Sequence, residues 1–364
     1  PPQPEIQTAR SASDRLGAMH AARSRVGLLL VSLGTPASPA VADVRRYLRE
    51  FLSDPRVIDT SAIVRWGVVA AATLLRAPKS AAAYAQIWTA EGSPLLLHGM
   101  ALREAVAERL AEDASVELGM RYGQPSIRRA LERLVAADVE RIAVLPLFPQ
   151  YASSAAGSAL ECVLELAAET LNVPTLETFG DFYDDPGFIG ALADVARSRL
   201  EAFGSDHVLM SYHGLPERQV RRADRSGAHC LHSEDCCSEI GAANRRCYRA
   251  QCAATSRALA EALGLEPESW SLSFQSRLGR APWIRPHTTD VLPALAERGV
   301  KRLAVLCPSF VADCLETLEE IGIRGREQWS ELGGEALELV PCLNAHPRWA
   351  DTIAGWVQRA GGAA

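Results

Sequence analysis

The sequence predicts an α/β protein made of two similar Rossmann-like lobes with parallel sheets. Three observations carry this reading. Apolar, β-rich runs alternate with amphipathic helical segments, the pattern of a helix-covered parallel sheet. The pattern recurs: HVLMSYHGLP (207–216) echoes LLLVSLGTP (28–36), and LPALAERGVKRLAVLCPSF (292–310) echoes LERLVAADVERIAVLPLFP (131–149), as after an internal duplication. A length of 364 residues leaves room for two units of ordinary domain size.

Residues 1–23 are polar, contain Pro and Arg, and read as a flexible tail without the apolar core of a secretory signal. The first lobe is expected over 24–190. VGLLLVSLGTP (26–36) is a buried strand ended by Gly34 and Pro36. In VADVRRYLREFL (41–52), Val41, Val44, Leu48 and Leu52 share one helical face. WGVVAAATLL (66–75) reads either as a core helix or as an apolar lip that admits a planar substrate or touches a membrane surface. Segments 101–113 and 125–138 are amphipathic helices, and RIAVLPLF (141–148) is a second buried strand. FGDFYDDPGF (179–188) is rich in Gly, Asp and Pro and reads as a crossover. The second lobe is expected over 191–350, with a cysteine-rich segment at 226–252, and 351–364 forms the C-terminal end.

Composition excludes several classes. Hydrophobic residues at 48% and charged residues at 23% argue against disorder or coiled coil. A net charge of −6 without a Lys/Arg block argues against a nucleic-acid partner. No apolar run approaches the ~18 residues of a membrane span. Neither GxGxxG after the first strand nor GxxxxGK[ST] occurs, so the dinucleotide fingerprint and the P-loop are missing. Of the nine cysteines, five fall between 230 and 252, which suits a cytoplasmic thiolate site better than a disulfide scaffold.

Ligands in open α/β sheets bind beyond the carboxyl ends of strands. His213 stands there, in SYHGLP, with Gly214 and Pro216 fixing its turn. After the strand RLAVLC, a helix is expected from near Val311, placing Asp313, Glu316 and Glu320 in one acidic stripe. A helix dipole accounts for Asp313 but not for Glu320, so the stripe suggests proton or metal-ion handling. Arg76, Lys79, Tyr84 and Ser93 suit a carboxylate-bearing ligand.

These residues resemble a known family. SLGTP, YLREFLSDPRVID, IWTAEGSPL, GMRYGQPS, PLFPQYASSAAGS, SYHGLPER, SFQSRLGRAPWIRP and CPSFVADCLETLEEI, in this order from residue 26 to about 348, are similar to ferrochelatases. The resemblance implies a porphyrin cleft between the lobes and insertion of Fe(II) into protoporphyrin IX, the last step of haem biosynthesis, by a lyase. It implies His213 as the essential histidine and Glu316 as its partner across the pocket, both bearing on the substrate iron, with Asp313 and Glu320 in the same acidic path. It places Arg76, Lys79, Tyr84 and Ser93 at propionate and pocket-mouth positions, Arg121 and Tyr122 in the cleft, and Trp283 on the pocket wall, where core filling is an equal alternative. Coproporphyrin III is the rival substrate, and a non-catalytic haem or iron–sulfur sensor the rival class.

The chain also departs from animal members. Cys314 replaces their histidine, Ser153 replaces one iron–sulfur ligand, and no cysteine follows Cys342, so their cluster cannot form. SGAHCLHSEDCCSEIGAANRRC (226–247) looks like an insertion relative to short bacterial members. Its Cys230, Cys236, Cys237 and Cys247 are expected to hold a 2Fe–2S cluster, as in some bacterial ferrochelatases, with zinc or unbound thiols as alternatives and His229 and His232 as substitute ligands. Cys252 is expected outside that set, and Cys162, Cys307, Cys314 and Cys342 in the core. The expected setting is cytoplasmic, as monomer or homodimer, with peripheral membrane contact through 66–75.

Overall fold

The computed structural model describes residues 26–111, 114–277, 279 and 281–360. The tail expected over 1–23 lies outside the described residues. Among the described residues, eight strands form two four-stranded sheets, all of whose pairings are parallel. The first contains β1 (Val26–Thr35), β2 (Ala114–Gly123), β3 (Arg141–Pro146) and β4 (Thr175–Thr178), in the order β2-β1-β3-β4. The second contains β5 (His207–His213), β6 (Trp270–Gln275), β7 (Arg302–Leu306) and β8 (Ala336–Leu339), in the equivalent order β6-β5-β7-β8. The repeat seen in the sequence is thus a repeat of topology. In each sheet the chain order reverses beside the first strand, between β1 and β3 and between β5 and β7. Such a reversal opens a crevice at the strand ends.

The central strands are apolar because both faces are covered. Leu28, Leu29, Leu30 and Val31 of β1 are fully buried, as are Leu209 and Met210 of β5. The first crossover carries helices Val41–Ser53, Ala62–Leu75, Ala77–Ile87 and Pro94–Leu110. In the second lobe the equivalent crossover carries Glu217–Ala223, the cysteine-rich segment and Tyr248–Leu263. Helix Pro186–Phe203, capped by the Asp185 carboxylate on the N–H groups of Gly187 and Phe188, joins the two sheets. It packs on Tyr248–Leu263, while the last helix, Pro347–Ala360, packs back on Pro94–Leu110. One apolar core therefore runs through both lobes, from Leu28 and Leu145 to Met210 and Leu306.

The helix expected from Val311 begins later. Helical geometry starts at Leu315, and Glu316–Gly325 is wound as a wide π-helix. Residues 311–314 bond elsewhere: the Val311 carbonyl accepts from Asn344 N–H at 2.8 Å, and Asp313 N–H donates to Asn344 Oδ1 at 2.9 Å. Those backbone groups are satisfied by the 340–344 segment, so they cannot also close an α-turn.

Candidate active site

His213 is the last residue of β5, at the topological reversal of the second sheet. Its main-chain N–H donates to Ser309 Oγ at 3.1 Å, and its carbonyl accepts from the Tyr248 hydroxyl at 2.8 Å. The ring Nδ1 lies 2.6 Å from the Gly214 carbonyl. A carbonyl only accepts, so Nδ1 carries a proton, and in the neutral form of the ring the lone pair falls on Nε2. The rings of Trp283 and Phe310 stand 6.3 and 6.4 Å away and shape an aromatic surround. Gly214 is dictated by crowding: a Cβ there would sit 2.9 Å from the Gln275 carbonyl and 3.1 Å from the Trp283 ring.

Gln275, which sequence reasoning did not single out, ties the histidine loop to the acidic segment. Its carbonyl accepts from Gly214 N–H at 2.8 Å, and its side-chain amide donates to the Glu316 carbonyl at 2.8 Å. The three acidic residues have different surroundings. Asp313 is buried, and its carboxylate accepts from Asn344 at 2.8 Å, Thr317 Oγ at 3.1 Å and Cys342 N–H at 3.3 Å. Glu320 accepts from Ser276 N–H at 2.9 Å and from the Ser276 hydroxyl. Glu316 instead lies at the seam between the lobes, where its charge acts on Tyr47 and Tyr84 of the first lobe. Burial pushes the Cys314 thiol well up, and the Glu316 carboxylate beside it adds to this, so Cys314 stays a neutral thiol.

The first-lobe candidates divide into two groups. Tyr84 is buried edge-on against Tyr47 and Trp88, and burial followed by the Tyr47 and Glu316 charges pushes its hydroxyl well above the usual value. Ser93 is buried and shares a 2.8 Å hydrogen bond with Thr35. Arg121 and Tyr122 converge on Asp54, at 2.7 and 2.8 Å, with Ser158 completing the cluster. These groups are spent on one another. Arg76 and Lys79 are exposed, and their side chains have no hydrogen-bond or ion-pair partner among the described residues. They follow helix Ala62–Leu75, whose Val69, Ala72 and Thr73 are buried while Ile63, Trp66 and Leu75 are 84%, 75% and 78% exposed. That segment is a partly buried helix with an apolar outer face. Among the described residues, no helix is long and apolar enough to cross a membrane.

The cysteine-rich segment is a compact loop. The Asp224 carboxylate accepts from the N–H groups of Ser226, His229 and Cys230 at 2.8–2.9 Å and from the Ser226 hydroxyl, and these bonds hold it well below the usual carboxylate range. Asn244 donates to the Cys236 and Glu239 carbonyls. Cys230, Cys236, Cys237 and Cys247 are all buried. Cys236 and Cys237 have their sulfurs 3.7 Å apart, and Cys247 hydrogen-bonds both Cys230 and Cys237. Arg249 points a guanidinium N–H at Cys237 Sγ from 3.3 Å. Cys252 is buried beside Tyr248 in the following helix. Among the described residues, no three His, Cys, Asp or Glu side chains are arranged to hold a metal ion. The expected 2Fe–2S cage is therefore not preformed: the Cys236 and Cys237 thiols face each other within hydrogen-bonding distance.

Paired parallel sheets of equivalent strand order, with a histidine at the reversal point of the second, are those of a chelatase-type α/β fold. Solved structures share the fold: SirB from Bacillus subtilis with Fe3+ has a TM-score of 0.52 at 12% identity, covering 93% of this chain and 96% of that one. A cobalt complex of the sirohydrochlorin chelatase SirB from Bacillus subtilis subspecies spizizenii has a TM-score of 0.53 at 11% identity, with the same coverage. The chain belongs to the ferrochelatase family. The Ferrochelatase family model matches residues 25–360. The chain is 52% identical over 331 residues to the ferrochelatase of Azotobacter vinelandii, covering 90% of this chain and 96% of the relative. It is 48% identical over 332 residues to that of Coxiella burnetii (strain CbuK_Q154), covering 91% and 92%. It is a metal-insertion enzyme of haem biosynthesis, with Fe(II) and a porphyrin as substrates.

Proposed function

We propose that this ferrochelatase, a lyase, inserts Fe(II) into protoporphyrin IX, with His213 at the ring centre. The supporting observation is the contact of Nδ1 with the Gly214 carbonyl at the end of β5, which leaves Nε2 as the nitrogen whose lone pair the neutral ring can offer. Metallation exchanges two pyrrole N–H protons for one Fe(II), with no change of oxidation state. Nε2 can take up a departing proton or hold the incoming iron. Glu316 is the acidic partner, since Asp313 and Glu320 spend their carboxylates on neighbouring main chain and side chains. Those two residues shape the segment that carries it. Trp283 and Phe310 form the wall against the macrocycle. Arg76 and Lys79 meet the propionates beside the apolar helix, whose outer face suits a membrane surface in a cytoplasmic enzyme and favours protoporphyrin over the more polar coproporphyrin III.

Four neighbouring buried cysteines beside a cationic Arg249 are the donor types a 2Fe–2S cluster takes, and Cys230, Cys236, Cys237 and Cys247 would be its ligands once the loop closes on it. Such a cluster would supply a cross-link for the loop. Metallation, being redox-neutral, needs no electron from it.

The test is anaerobic incubation of the protein with Fe(II) and each porphyrin, following product absorbance. Protohaem formation that is lost in a folded His213→Ala variant is the expected result. Faster turnover of coproporphyrin III would overturn the substrate assignment. Retained turnover in His213→Ala would remove His213 from the chemistry.

A further inference from the structure

We infer that Tyr248 is a positioning residue for His213, and that through it the cysteine-rich segment is mechanically joined to the metallation site. The inference rests on the reading of His213 as the metallating residue.

The Tyr248 side chain is buried, and its hydroxyl donates to the His213 carbonyl at 2.8 Å. Ser309 Oγ contacts the same hydroxyl and also accepts from His213 N–H at 3.1 Å. A ring of hydrogen bonds follows. His213 N–H donates to Ser309, Ser309 donates to Tyr248, and Tyr248 donates to the His213 carbonyl. Each hydroxyl both donates and accepts, so the ring leaves no member unpaired. It holds the histidine's main chain at both its N–H and its carbonyl. The third restraint is Gly214 N–H on the Gln275 carbonyl.

Tyr248 is also the first residue of helix Tyr248–Leu263, and the residue before it is Cys247, the last cysteine of the loop. Cys247 in turn hydrogen-bonds Cys230 and Cys237. A displacement of the loop that moves Cys247 moves the start of this helix, and with it the hydroxyl that holds His213. Misplacing a reacting group by about 1 Å costs on the order of a hundredfold in rate. The loop therefore has a physical route to the reaction that requires no electron transfer.

The experiment compares Tyr248→Phe, Cys247→Ser and the double variant with the parent, measuring turnover per bound porphyrin and KM. Tyr248→Phe should lower kcat about tenfold with KM for porphyrin within about twofold, because macrocycle packing is untouched. Cys247→Ser should lower kcat in the parent but much less in the Tyr248→Phe background, the non-additivity of a shared path. Parent-like kcat in folded Tyr248→Phe overturns the positioning role, and independent, multiplying effects overturn the coupling. His213→Ala run alongside separates the two readings. If it is inactive while Tyr248→Phe is parent-like, only this inference fails; if it remains active, the reading of His213 fails and this inference with it.

Discussion

At the scale of single residues, the site is assembled from groups far apart in sequence. His213, Ser309 and Tyr248 meet at one peptide, and Asp54 gathers Arg121, Tyr122 and Ser158. The second cluster makes a pH prediction. Burial pushes the Asp54 carboxyl up, but hydrogen bonds from Ser158, Arg56 N–H and Tyr122 and the Arg121 charge outweigh it and hold it below the usual carboxylate range. A depressed folded value means that the stabilisation is complete above the unfolded value of about 4 and is lost as pH falls through the folded one. Asp54→Asn should cost about 3 kcal/mol near neutral pH, as for a buried pair robbed of one partner. The gap between parent and variant should narrow below about pH 4, measured by urea unfolding across that range. A gap of constant size down to acid pH would show that the charge of Asp54 does not anchor the cluster. The strand-end place of His213 was legible in the sequence because an apolar run followed by Gly and Pro announces the end of a buried strand. Gln275, Tyr248 and Asp54 were not, because their roles consist of hydrogen bonds to segments tens of residues away.

Among the elements, the strands and most helices could be read from periodicity, since buried parallel strands are apolar throughout and the covering helices are not. Two elements escaped that logic. The acidic helix starts late because Asn344 claims the Val311 carbonyl and the Asp313 N–H, a long-range competition that no local pattern records. Helix Ala62–Leu75 carries one charged residue, Arg65, and is otherwise almost wholly apolar, so periodicity leaves its buried face undetermined. In the structure it turns Leu74 and Leu75 outward beside Arg76 and Lys79. Replacing both leucines by serine should therefore shift the melting temperature by no more than about 2 °C, since surface substitutions usually change stability by about 0.5 kcal/mol or less. The same variant should raise KM for protoporphyrin several-fold and weaken binding to lipid vesicles. A collapse of stability with unchanged KM would make these leucines core residues.

For the whole molecule, the sequence showed two lobes but not how they share a core. The duplication is visible because each half repeats its own strand pattern. The exchange of terminal helices is not, because helix Pro347–Ala360 is amphipathic in a way that would suit either lobe. Its Trp349 is fully buried among Phe182, Phe188 and Trp356, with ring centroids 5.4–5.9 Å away. Arg109 of the first lobe also pairs with Asp351 on this helix. The helix thus closes a continuous core that contains residues of β1, β3, β5 and β7. Trp349→Ala should cost about 3–5 kcal/mol, the usual range for deleting a buried aromatic. Because the core is continuous, the loss should appear in both sheets rather than in one. Native-state hydrogen exchange reads this directly: amides of β1 and β5 should lose protection by similar factors, through one shared opening. Loss confined to β1, with β5 as protected as in the parent, would show two independently stable lobes that merely touch.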